Sequence, residues 1–254
     1  MIGHKLIGNG PRGVIVFHGW LGDHTVFAPM FPFLDKNSYT YAFIDHRGYG
    51  LSHELAGKYT VEEMSSDAAE LAASFGWKKY NLVGHSMGGL PLQQLIVSCN
   101  GAVEAACALT PVPACGMQLP TEHKRMFEAA SGSPEHKREI IDFSTGNRLS
   151  RPWLDWMTQQ CVSTVTEPAF GSYFRTFDRT DISASVKGDK TPILVAIGEM
   201  DPAVNSSLMQ DTYLAWYPNA KLEVIRNCGH YPMQEVPVYL ATIIEAFFAE
   251  HASS

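Results

Sequence analysis

A chain of 254 residues, 45% apolar and 18% charged, is long enough for one domain with a substantial core, and its composition excludes a disordered protein. The formal charge of −7 excludes a general nucleic-acid binder, which needs a basic surface to neutralise phosphates. The opening MIGHKLIGNGPRG lacks the apolar core of a signal peptide and no apolar run reaches bilayer length, so no membrane association is expected and a cytoplasmic location is.

Taken in chain order, residues 14–17 form the first β-rich apolar run and lead into His18-Gly19-Trp20; a second run covers 41–44. Thr60-Val61-Glu62-Glu63 has the form of a capping box and opens a helix to about Phe75, ended near Gly76. Residues 82–83 lead into Gly84-His85-Ser86-Met87-Gly88-Gly89, and further runs follow at 105–109, 193–197 and 222–225. These runs are apolar on successive residues, as suits strands covered on both faces of a parallel sheet. Asn205 or Ser206 is placed to cap a helix reaching Trp216, and 238–248 reads as a last amphipathic helix. The alternation predicts an α/β fold, a mostly parallel sheet flanked by helices.

Residues 112–190 break the alternation. They hold no comparable strand but several helix candidates, with N-cap patterns at Ser133-Pro134-Glu135 and Ser150-Arg151-Pro152. The expected division is a core of 1–111 and 191–254 and an inserted helical cap of 112–190. Singly, its large side chains (Met126, Phe127, Trp153, Trp156, Met157, Phe170, Tyr173, Phe174) are expected to hold cap helices to the body. Together, some should line a pocket, and Trp153, Trp156, Phe170 and Tyr173, with Tyr231, are the candidate substrate contacts. The cysteines at 99, 107, 115, 161 and 228 are odd in number, scattered and without CxxC spacing, so free thiols are expected.

Gly84-x-Ser86-x-Gly88 between a strand and a helix is the arrangement that exposes a serine oxygen at the carboxyl end of a strand. A serine hydroxyl is a poor nucleophile at neutral pH, so it needs a base and a group to orient that base. ILVAIGEMDP places Asp201, and LEVIRNCGHYP places His230, in loops after the next two predicted strands, and such loops converge in space. Attack on a carbonyl also creates an oxyanion. The residue after the nucleophile and the loop after the first run nominate the backbone N–H groups of Met87 and Trp20 as its donors.

With HGW, DHRGYGLS, GHSMGG, GEMD and GHYP in this order, the chain resembles the α/β-hydrolase superfamily over essentially its whole length. The resemblance implies Ser86 as nucleophile, His230 as base, Asp201 rather than Glu199 as its partner, Trp20 and Met87 as oxyanion donors, and neither metal nor cofactor. It also implies structural roles for His18 and His85 and a turn-stabilising one for Asp45 and Arg47. His4, His24, His53, His123, His136 and His251 are expected at the surface, and Cys228 as a buried inert thiol. The segment before residue 14 leaves little room for both strands that often begin this fold, so the first is expected to be missing or rudimentary. The functional expectation is a cofactor-independent serine hydrolase acting on an ester or related acyl bond of a small, largely apolar substrate, as a carboxylesterase or lactonase does. The alternatives are a serine carbon–carbon bond hydrolase of the ring-cleavage type and a non-catalytic ligand-binding receptor on the same fold. The motifs leave the oligomeric state open.

Overall fold

The computed structural model describes residues 1–99 and 101–252. Its six apolar runs lie in β2 (Arg12–Phe17), β3 (Tyr39–Ile44), β4 (Tyr80–His85), β5 (Val103–Leu109), β6 (Ile193–Gly198) and β7 (Ala220–Ile225), which join β1 (His4–Ile7) in one sheet in the order β1-β3-β2-β4-β5-β6-β7. The short β1 is antiparallel to β3, and the other strand pairs of the sheet, among the described residues, are parallel. The N-terminal segment thus supplies one four-residue edge strand.

Successive residues of the central strands feed opposite cores, which is why the runs are apolar without a break. Val14, Val16, Val83 and Leu109 face one cluster, and Ile15, Phe17, Leu82 and Ala108 the other. The second cluster is covered by α1 (Val61–Ser74) and α2 (Gly89–Ser98), through Ala68 and Leu71 of the former and Leu92, Leu95 and Ile96 of the latter. Burying each such leucine or isoleucine stabilises the fold by about 1.5–3 kcal/mol.

The capping signal at Thr60 operates with one change. Its hydroxyl accepts from Glu63 N at 3.3 Å, but the Glu63 carboxylate accepts from Tyr59 N at 2.8 Å, one residue earlier than a capping box prescribes. Between β5 and β6 lie five helices: α3 (Thr121–Ala129), α4 (Pro134–Ser144), α5 (Arg151–Thr164), α6 (Glu167–Arg179) and α7 (Ser183–Val186). Ser133 and Ser150 cap α4 and α5 by accepting from His136 N and Trp153 N. After β6, Asn205 caps α8 (Ser206–Asp211), but the helix expected to reach Trp216 breaks at Thr212 before α9 (Tyr213–Trp216). The Thr212 hydroxyl bonds back to Leu208 O at 2.5 Å, a competitor to the helical ladder that bends helices. Two helices that begin on prolines, α10 (Pro232–Glu235) and α11 (Pro237–Glu250), close the chain. Among the described residues no helix is long and apolar enough to cross a membrane.

Because β2 lies between β3 and β4, the chain steps from β2 to β3 and then crosses back to β4 and onward to β7. The reversal opens a crevice at the carboxyl ends of β2 and β4, where open α/β sheets bind ligands. His18-Gly19-Trp20 leaves β2 there, and Ser86 leaves β4.

Candidate active site

Ser86 follows β4 directly, in a tight turn over Ser86–Gly88 that becomes α2, and its φ of 53° lies in the left-handed region. A side chain pays about 1–2 kcal/mol to stand there, a strain that clusters at functional sites. The flanking glycines are required by contact: a Cβ on Gly84 would stand 2.5 Å from Gly88 O.

The loop after β6 carries Asp201 and the loop after β7 carries His230, and His230 Nδ1 lies 2.6 Å from Asp201 Oδ2. Asp201 is 3% exposed, and its other oxygen accepts from Ala203 N and Val204 N at 3.0 Å each, so the carboxylate is aimed by backbone donors as well as by the histidine. With Nδ1–H donating to Asp201, Nε2 of His230 is left as an acceptor. Glu199 faces away and accepts from Asn227 N at 3.0 Å.

The His230 backbone is fastened on both sides. Its N–H donates to Ser144 O at 3.2 Å, and its carbonyl accepts from Thr110 Oγ1 at 3.0 Å and from His85 Nε2 at 2.8 Å. Burial, reinforced by the neighbouring His230, holds the His85 imidazole well below its ordinary pKa, so it is neutral and its one N–H serves this bond. His18 does similar work in the loop after β2: Nδ1 donates to Gly19 O at 2.7 Å and Nε2 accepts from His46 N at 3.0 Å. Desolvation by burial lowers the His18 pKa despite the nearby Asp45. A Cβ on Gly19 would come within 3.0 Å of Ser86 Cβ, so only glycine lets this loop lie against the serine.

Ser86 and His230 line one cavity, with Trp20, His85, Tyr231 and apolar residues that include Val112, Met117, Leu119, Phe127, Ile140, Phe143, Phe177 and Val204. Among the described residues, no Asp, Glu, Lys or Arg lines it. Asp201 and Met87 are buried behind this surface.

Residues 14–243 match the sequence model of the Alpha/beta hydrolase family. The chain belongs to that family. This hydrolase is 22% identical over 252 residues to a carboxylesterase of Bacillus subtilis (strain 168), a match covering 95% of this chain and 83% of that one. It is 31% identical over 111 residues to a fluoroacetate dehalogenase of Burkholderia sp., a match covering 42% of this chain but only 36% of the dehalogenase. Its fold is that of an esterase from Exiguobacterium antarcticum, with a TM-score of 0.86 at 18% identity over 98% of this chain and 95% of that one.

Of the five candidate substrate contacts, Tyr231 lines the hydrolase's cavity and the other four do not. Phe170 is fully buried beneath Trp20, stacked at 4.0 Å, with its carbonyl accepting the indole N–H at 2.9 Å. Tyr173 packs among His46, Tyr49 and Tyr59. Trp153 meets the ring of Tyr231 edge-on at 5.6 Å from outside the cavity, and Trp156 is 40% exposed. In α6, Phe170, Phe174 and Phe177 share one stripe, but only Phe177 lies at the end that reaches the cavity. Met117 and Leu119 lie on a loop without periodicity, so no sequence signal marked them.

His24 is corrected from a surface residue to a half-buried one, its Nδ1 2.7 Å from Asp45 Oδ2. Asp45 also accepts from His24 N and Leu51 N, which ties two turns together, and Arg47 grips Asp67 through two bonds of 2.8 Å. Among the described residues, Asp23, His24 and Asp45 bring potential metal donors within 4.8 Å of one another, but these atoms already bond to each other and to the adjoining loops. Burial raises the Cys228 thiol to about 12, as expected of an unreactive cysteine.

Proposed function

We propose that this member of the alpha/beta hydrolase family is a serine hydrolase that cleaves an ester or related acyl bond of a small, uncharged, largely apolar molecule. The observation that carries this reading is the shared cavity: Ser86, on its strained turn, and His230, bonded through Nδ1 to buried Asp201, line the same apolar chamber. Ser86 Oγ attacks the acyl carbon while His230 Nε2 takes its proton. Asp201 holds the imidazole in that tautomer and stabilises its charged form. The backbone N–H groups of Trp20 and Met87 hold the oxyanion, a role supported by the close approach of the Gly19 loop to Ser86. The imidazolium then protonates the leaving group, and water attacks the acyl-enzyme with His230 as base, releasing the acid and restoring Ser86. No step calls on a metal or cofactor.

The 112–190 insertion is the cap that selects the substrate, since it supplies Met117, Leu119, Phe127, Phe143 and Phe177 to the lining. An anionic substrate finds no cationic partner in that lining, and burying its charge unpaired is costly. Five free cysteines suit the reducing cytoplasm as its compartment. A serine-directed phosphonate is expected to label Ser86, and Ser86→Ala to lose nearly all turnover of acyl esters while staying folded. A label found by mass spectrometry on another residue, or an active alanine variant, removes Ser86 from the mechanism.

A further inference from the structure

We infer that Arg148 and Glu235 form a latch by which the insertion holds the His230 loop in register with Asp201, an inference that rests on the catalytic reading above. Neither residue enters the chemistry, and neither lines the cavity. Glu235 ends the single turn of α10 and folds back over the loop that precedes it. Its two carboxylate oxygens each lie 3.0 Å from Gly229 N, and Oε1 also accepts from Tyr231 N at 3.3 Å. Glu235 therefore clasps the peptide N–H on either side of His230, while the N–H of His230 itself goes to Ser144 O. Three consecutive donors of the base-bearing loop are thus satisfied by two anchors, one a buried carboxylate and the other the end of α4.

The Glu235 side chain is only 5% exposed, and a carboxylate so placed needs a cation. The cation is Arg148, which reaches Glu235 Oε2 from the turn between α4 and α5 with its own side chain 20% exposed. The segment 144–148 therefore holds the base-bearing loop in two ways, directly through the Ser144 carbonyl and through Glu235 by way of the Arg148 guanidinium. Without Arg148, the buried carboxylate must draw in water or a proton. Either change weakens its hold on Gly229 and Tyr231, and the imidazole between them loses its fixed place opposite Asp201. Arg148 and Glu235 are positioning residues, acting through His230.

The test compares Arg148→Gln, Arg148→Lys and Glu235→Gln with the wild type. Arg138→Gln is the control: it removes a cation of the same insertion that pairs with Asp155 and touches nothing in the site. The first readout is the far-downfield proton resonance of the His230–Asp201 bond, identified by its loss in His230→Gln. It is expected to broaden or vanish in Arg148→Gln and Glu235→Gln, to return largely in Arg148→Lys, and to stay unchanged in the control. The second readout is turnover of an acyl ester. Since displacements of about 1 Å cost as much as about 10²-fold, kcat is expected to fall about 10- to 100-fold with KM nearly constant. If Arg148→Gln does not fold, Glu235→Gln and Arg148→Lys are read by the same criteria. An unchanged resonance in folded Arg148→Gln and Glu235→Gln overturns the latch, and a loss confined to KM assigns Arg148 to substrate binding instead. The resonance needs no substrate, so a Ser86→Ala variant that keeps its turnover sinks the acyl mechanism without deciding the latch, which stands or falls on the resonance.

Discussion

The strand-end loops and the β5–β6 insertion furnish the same cavity by different physical means. In the loops, Asp201 and His230 have discrete hydrogen-bond partners: Ala203 N, Val204 N and the imidazole for the carboxylate, and Ser144 O, Thr110 Oγ1 and His85 Nε2 for the histidine's backbone. In the insertion, the Phe127 and Phe177 side chains carry no hydrogen-bonding group and are held by packing, each against Trp20, at 5.4 and 5.2 Å. Directional bonds fix an atom in one place, which chemistry requires, whereas stacked rings fix a surface whose shape can change by a methyl group and still work. The loops are therefore expected to control rate, and the insertion to control which molecule is turned over.

The largest expected effect breaks the loop side of this comparison. Asp201→Asn keeps the packing but imposes the wrong histidine tautomer, and kcat is expected to fall by up to about 10⁴-fold. Glu199→Gln, in the same loop as Asp201 but with its carboxylate accepting from Asn227 N in the loop after β7, is expected to stay near wild type. Steady-state kinetics showing the two effects reversed would exchange the roles of the acids.

A smaller effect sharpens the insertion side. Phe127→Ala and Phe177→Ala enlarge the chamber, and across a matched series of acyl esters the optimum is expected to move to longer chains, with steps of about 1–3 kcal/mol per methylene where the pocket fits or fails. Trp156→Ala, outside the lining, is expected to leave the optimum in place. A uniform loss of kcat for every ester in folded Phe177→Ala would show that the insertion supplies chemistry as well as shape.

The smallest effect concerns stability at the base of the crevice. Burial disfavours the charged form of His24, but the Asp45 carboxylate outweighs it and raises the His24 pKa above 6.5. A raised histidine contributes stability that is full below its unfolded pKa and is lost as pH rises through its folded one. His24→Asn is therefore expected to lower the melting temperature more at about pH 5.5 than at about pH 9. The acid side brings a separate limit, since Asp45, which burial alone would raise, is lowered by His24, so its contribution fades on strong acidification. A melting-temperature gap that widens toward pH 9 contradicts the assignment.

Much of the candidate site's placement was legible because it is written in local backbone demands. Gly84-x-Ser86-x-Gly88 announces a turn that only glycines permit, and the loops bearing Asp201 and His230 follow apolar runs that form neighbouring strands. Helix caps at Thr60, Ser133, Ser150 and Asn205 were legible for the same reason, since a cap is a contact across three residues. The break at Thr212 was not, because a hydroxyl bonding back to Leu208 leaves no pattern distinct from a continuing helix.

By itself, then, the sequence determined the α/β class, the order of the elements and the strand-end loops on which Ser86, Asp201 and His230 lie, all of which rest on periodicity and on contacts within a few residues. Only the tertiary structure decided that Phe177 rather than Phe170 reaches the cavity, that Trp156 stays outside it, and that His24 joins Asp45. It alone brought Arg148 to Glu235. Periodicity tells which side chains share a face of a helix, but where that face ends against the sheet depends on how all the helices pack together. Ion pairs between residues far apart in the chain leave no mark on either neighbourhood, because their partners meet only after the chain has folded.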